Sequence, residues 1–145
     1  YSLKNKSVCL FGAGGAAVSI GCSLANEQIK SLTLINRDIN KAIRLKNKIN
    51  AKSNLLKVEV FPESDYSLAY SDIIINATSL GLKKTDKLPF DVTNSPLNSV
   101  IADIIMQPEE TELLKNAKSL GRTIHYGKYM IESQIDLVND FLKIW

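Results

Sequence analysis

Histidine, cysteine and unbalanced charge are all scarce in this chain, and each scarcity removes a class of function. With one histidine and two cysteines, Cys9 and Cys22 have no metal-ligand spacing around them, and no metal site is expected. Cys9 falls in an apolar run and Cys22 in a helix-like one, places explained by small apolar residues. A reducing compartment, the cytoplasm by default, therefore fits best. Eighteen Lys and Arg against fifteen Asp and Glu leave a net charge of +3, too slight to argue for a nucleic acid or a membrane surface. The densest basic cluster, Lys83, Lys84 and Lys87, reads as a solvated loop. No stretch approaches the roughly twenty apolar residues of a membrane span, and no charged-then-apolar leader opens the chain. No internal repeat or low-complexity tract occurs. What is present is ordinary: 145 residues, 45% apolar and 23% charged, as befits one globular domain with one core.

The informative stretch lies between residues 6 and 38. An apolar run, Ser7 to Phe11, breaks into Gly12-Ala13-Gly14-Gly15-Ala16-Ala17 and then into a helical pattern from Gly15 to Glu27. Gly12 allows a sharp turn off a strand, Gly14 lets the backbone come close to a pyrophosphate, and Ala17 takes the third small position where helix meets strand. The expected ligand is a dinucleotide, its pyrophosphate over the exposed amides of the helix start. A Gly-x-Gly-x-x-Ala string alone is weak, but a second strand, Ser31 to Asn36, follows at the distance that closes a βαβ unit. At the tip of that strand an NAD site usually carries an acidic residue. Here Asn36 and Arg37 stand there, with Lys41 one turn on, which favours a ribose 2′-phosphate and hence NADP. Asp38 complicates this, since a carboxylate repels phosphate. The bland alternative makes Arg37 and Lys41 a solvated helix face and Asp38 a simple N-cap.

The second helix is expected to run to about Asn50, burying Ala42, Leu45 and Ile49. A third strand follows at Leu55 to Phe61, then a loop or short helix over 62–70, then a central strand, Asp72 to Asn76. Its carboxyl end carries Ala77-Thr78-Ser79-Leu80-Gly81, at the edge where ligands of open α/β sheets bind. A polar loop, Leu82 to Pro96, leads to a fifth strand, Val100 to Ile105. Glu109 and Glu110 then place acidic charge at the start of a helix ending near Gly121. Arg122 to His125 reads as a sixth strand. Met130 to Trp145 reads as a last helix, with Ile131, Ile135, Val138, Leu142 and Trp145 at helical spacing. The fold expected is a Rossmann-type doubly wound α/β domain with parallel strand order 3-2-1-4-5-6, the cofactor lying across strands 1 and 4. The abrupt start at Tyr1, at the edge of a strand, looks like that of a cut piece.

Together, Gly12 to Ala17, Asn36-Arg37, Asn76 to Gly81, Asp103 with Pro108 and Thr111-Glu112-Leu113-Leu114, and Gly127, Met130 and Gln134 resemble the cofactor domain of the shikimate dehydrogenase family, over nearly the whole chain. The resemblance implies reduction of 3-dehydroshikimate to shikimate with NADPH, on the way to chorismate and the aromatic amino acids. It also implies a catalytic lysine and aspartate on a separate N-terminal substrate domain that nothing here resembles, so no catalytic residue is expected in this chain. Gly12, Ala13, Gly14, Gly15 and Ala16 then hold the pyrophosphate, and Asn36, Arg37, Asp38 and Lys41 match the 2′-phosphate clamp. In that clamp Asp38 replaces a common threonine, so NAD stays possible. Thr78, Ser79 and Leu80 line the cofactor, Gly127 meets the nicotinamide amide, Met130 packs beside the nicotinamide, and Gln134 binds a substrate hydroxyl. Two departures touch the substrate side: Met106 replaces a tyrosine, and Tyr129 replaces the second glycine of a Gly-x-Gly-Met turn. They keep open a quinate dehydrogenase using NAD or NADP, or a non-catalytic nucleotide sensor. Each residue also has a local explanation: Gln134 solvated, Met130 core, Thr78 a cap, and His125 a strand end.

Overall fold

The computed structural model describes residues 2–130 and 132. Six strands, β1 (Ser7–Phe11), β2 (Ser31–Asn36), β3 (Lys57–Pro62), β4 (Ile73–Asn76), β5 (Val100–Asp103) and β6 (Thr123–His125), form one sheet. All its pairings are parallel and its order is β3-β2-β1-β4-β5-β6, the expected one. Helices α1 (Gly15–Leu24), α2 (Ile39–Lys52) and α3 (Glu112–Ser119) pack on it.

The central strands read as continuous apolar runs because both of their faces are covered. Side chains alternate across a strand, so Val8, Leu10, Leu32, Leu34 and Ile73 join one cluster with Ala42, Leu45 and Ile49 of α2. Cys9, Phe11, Ile35, Ile74 and Ile101 join the other with Leu113, Leu114 and Ala117 of α3. Fully buried Leu10, Leu34 and Ile49 each contribute about 2 kcal/mol by leaving water. The expected stripe of α2, Ala42, Leu45 and Ile49, is the buried one.

Element ends differ from expectation where polar bonds set them. α1 stops at Leu24 rather than Glu27, because the chain turns over residues 25–28 and Gln28 takes a positive φ of 53°. α2 runs on to Lys52. β3 begins at Lys57, the partner of the first β2 residue, Ser31, which leaves Leu55 94% exposed. β5 ends at Asp103 rather than Ile105, because the Asp103 carboxylate accepts a hydrogen bond from the Ile105 N–H and turns the chain. α3 starts at Glu112 with Thr111 as cap; Glu109 and Glu110 precede it. The polar loop is not wholly outside: Phe90 and Val92 are buried, and Val92–Asn94 forms a 3₁₀ turn capped by Asp91. Phe90 stacks on Phe11 with centroids 4.6 Å apart. The expected final helix, Met130 to Trp145, lies outside the described residues except for Met130 and Glu132, both of which are helical.

Candidate functional site

The chain leaves β1 at Gly12 with φ +111°, and a Cβ there would lie 2.7 Å from the Ala77 carbonyl oxygen. Backbone bonds from Gly12 N to Ile35 O and from Ala77 N to Phe11 O, each 2.8 Å, draw the tips of β2, β1 and β4 together. α1 then begins behind Gly14, with no side chain capping it and no acidic residue in its first turn. A Cβ on Gly14 or Gly15 would meet nothing within 4 Å. Ala13 and Ala16 are half-buried beside this space, and Ala17 is fully buried where the helix presses on the sheet. Uncapped amides, a helix dipole and room in front of them fit a pyrophosphate.

At the tip of β2, Asn36 donates its Nδ2 proton to the Asp38 carbonyl at 2.7 Å. Asp38 Oδ1 accepts from the amides of Asn40 at 3.0 Å and Lys41 at 3.3 Å, an N-cap worth about 1 kcal/mol. Asn36 and Asp38 thus shape the turn. Arg37 and Lys41 are exposed and form no ion pair among the described residues. A groove of about 250 Å³, lined by Ala13, Val18, Lys41, Arg44, Leu45 and Lys48, joins the glycine loop to this face of α2.

The β4 and β5 tips are built differently. Asn76 is fully buried; its Nδ2 donates to Leu80 O at 3.0 Å and to Asp103 Oδ1 at 3.1 Å. Its Oδ1 accepts from Thr78 N at 3.1 Å and from Thr78 Oγ1 at 2.7 Å. The Thr78 hydroxyl also accepts from Leu80 N at 3.1 Å, so it is engaged within the loop, while Thr78 Cγ2 lies beside Gly12. Ser79 is exposed and Leu80 half-buried. Asp103 accepts from Ile105 N at 3.1 Å and from Thr111 Oγ1 at 2.8 Å. Burial pushes its carboxyl above the usual range, outweighing the bonds from Ile105, Thr111 and Asn76 that pull the other way.

Gly127 is buried, with its Cα against β5's exit: a Cβ would lie 2.5 Å from Ile104 O. Met130 N donates to Gly127 O at 3.1 Å. Met130 lines an apolar groove of about 280 Å³ with Ile20, Ile75, Ala102, Ile104 and Tyr129. Tyr129 is 41% exposed, its ring 5.2 Å from that of His125, and Met106 is 38% exposed. His125 ends β6, as expected of a strand-end residue. Gln134 lies outside the described residues. Burial raises the Cys9 thiol far above its usual value, leaving it inert at neutral pH. Among the described residues no group of three His, Cys, Asp or Glu could hold a metal, and no helix is long and apolar enough to cross a membrane.

The glycine loop, the β2 tip and Thr78 therefore converge on one sheet edge, with Gly127 and Met130 beyond β5. Sequence reasoning missed the Asn76–Asp103–Thr111 bonds and the groove at Ala13 and Arg44. The first had a signal: Asn76 and Asp103 each end an apolar strand, and they are register partners.

The family described as shikimate/quinate 5-dehydrogenase matches residues 1–104. A shikimate dehydrogenase (NADP(+)) of Nitrosopumilus maritimus is 37% identical over 138 residues, 91% of this chain and 48% of that protein. The chain spans about half the length of the curated relatives it matches. Among solved structures, the ligand-free 5-ketofructose reductase of a Gluconobacter strain is similar with a TM-score of 0.81 and 38% identity, over 88% of this chain and 47% of that one. Quinate dehydrogenase from Corynebacterium glutamicum in complex with NAD is similar with a TM-score of 0.80 and 28% identity, over 88% and 46%.

Proposed function

The chain belongs to the shikimate/quinate 5-dehydrogenase family, and from that premise we propose that it is the NADP-binding domain of a dehydrogenase interconverting 3-dehydroshikimate and shikimate, a step towards chorismate. The observation carrying this reading is the uncapped start of α1 with open space at Gly14 and Gly15, next to two cations without an ion-pair partner among the described residues, Arg37 and Lys41.

In this reading the amides behind Gly14 hold the pyrophosphate, while Gly12 keeps the loop low enough against Ala77 for Thr78, Ser79 and Leu80 to flank the cofactor. Arg37 and Lys41 hold the 2′-phosphate, and the Asn36 and Asp38 bonds fix the turn that presents them. The bound cofactor supplies the hydride. Gly127, packed against Ile104, and Met130 would line the nicotinamide end, Met130 as an apolar wall that keeps water away. Gln134 meets a substrate hydroxyl. Proton transfer falls to a lysine and an aspartate on an N-terminal substrate domain outside these 145 residues. Two free thiols go with a cytoplasmic setting.

Calorimetric titration tests the cofactor reading: NADP+ should bind at least about tenfold more tightly than NAD+, a difference of about 1.4 kcal/mol. Equal affinities would return the clamp to a solvated helix face, and no binding of either would remove the reading. One observation favours a second substrate. Met106, exposed just past the end of β5, cannot donate the hydrogen bond of the tyrosine that the family resemblance puts there. Assay of the full-length protein with shikimate and quinate separates these two, and inactivity on both would favour a nucleotide sensor.

A further inference from the structure

We infer that Arg44 is a further cofactor-selecting residue, reaching the 2′-phosphate from the groove between α1 and α2; this rests on the NADP reading above. Three observations carry it. Arg44 lines the groove that Ala13 of the glycine loop also lines, with Lys41 between it and the cap of α2. Helical side chains lean towards the N-terminus of their helix, so Arg44 leaves α2 on the side of Lys41 and the β2 tip, with the length to reach that tip.

The second observation is charge. Lys41, Arg44 and Lys48 repeat at three- and four-residue spacing, all exposed, and none forms an ion pair among the described residues. Like charges at that spacing repel, and cations near the start of a helix oppose its dipole. Apart from the Asp38 cap, no ion pair described in the chain relieves that repulsion, whereas an anion docked at the groove mouth does.

The third is the cap. Asp38 is held at the helix start by its bonds to Asn40 and Lys41, so its negative charge stays beside the phosphate position. Against Asp38, Arg37 and Lys41 leave one net positive charge. Arg44 brings this to two, matching a phosphate that carries close to two negative charges at neutral pH. Its planar fork also suits phosphate oxygens better than an ammonium does.

The experiment titrates the chain and its variants with NADP+ and NAD+. Arg44→Gln should weaken NADP+ binding by about tenfold, the loss of one charge-assisted contact, and leave NAD+ within about twofold. Arg44→Lys should recover part of the loss. Lys48→Gln, which removes the same charge one turn further from the cap, should change NADP+ binding by less than about twofold. Equal weakening of both cofactors by Arg44→Gln, no weakening of either, or an equal effect of Lys48→Gln would overturn the assignment while leaving the cofactor reading standing. A wild-type chain without NADP+ preference would remove both.

Discussion

β1 and β4 lie side by side, in register from Val8 with Ile73 to Phe11 with Asn76, yet the chain leaves them in opposite ways. Off β1 it passes through glycine and alanine, with no side chain capping the helix that follows. Off β4 it passes through a closed set of side-chain bonds, in which Asn76, Thr78, Asp103 and Thr111 satisfy one another. One tip presents donors to the outside, and the other turns its donors inward. The difference explains how a site can be both open and rigid: the β4–β5 tip needs no ligand to hold its shape, and Gly12 rests on it at Ala77.

The strongest test of that division is Gly12→Ala. Its Cβ would press on Ala77's main chain, and its φ of +111° suits glycine alone. Strain and overpacking together should lower stability by about 4 kcal/mol, measured by denaturant unfolding. Asp103→Ala should follow at about 3 kcal/mol, since it strips acceptors from Ile105 N, Asn76 Nδ2 and Thr111 Oγ1. Gly14→Ala should do the reverse of both. Unfolding should shift by less than about 0.5 kcal/mol, because the added carbon meets nothing. NADP+ affinity should nevertheless fall about tenfold if, as proposed, that space receives the pyrophosphate. If Gly14→Ala lowers stability as far as Gly12→Ala does, or leaves NADP+ affinity unchanged, the two tips are not divided as described.

Smaller effects sharpen the picture. Asp38→Thr keeps an oxygen cap but removes the carboxylate, so the preference for NADP+ over NAD+ should rise about threefold, with unfolding changed by under about 0.5 kcal/mol. The pH dependence of stability should carry a mark of Asp103. Its folded carboxyl titrates above the ordinary 3.8, so the folded chain keeps this proton to higher pH than the unfolded chain does. The stabilising contribution is complete below 3.8 and lost as pH rises through the raised value. Asp86 and Asp91, held low by their hydrogen bonds, act oppositely below 3.8. Asp103→Asn should flatten the decline above 3.8 and leave the acid limb in place, read from unfolding midpoints across pH.

Sequence patterns carried the sheet order because it follows from long-lived regularities: apolar runs covered on both faces, small residues at one turn, a helix between neighbouring strands. They carried the β2 tip too, since Asp38 is both the cap and the charge beside Arg37. They did not carry the strand ends, which are set by single polar bonds such as the one from Ile105 N to Asp103. Nor did they reveal Phe90 and Val92, whose polar neighbours hid two core residues in a loop. The groove at Arg44 escaped for a related reason: a cation on a helix face looks solvated until the turn facing it is known.

Gly127 carries one more implication. Its main chain sits so close to Ile104 and Ile105 that no methyl group fits between them, and Tyr126 and Lys128 on either side bond Glu110 and Glu109. Whatever the segment after Met130 attaches to, its root is riveted to the exit of β5. A tug on that root would arrive at the residues adjoining Asp103 instead of fading along a slack connector.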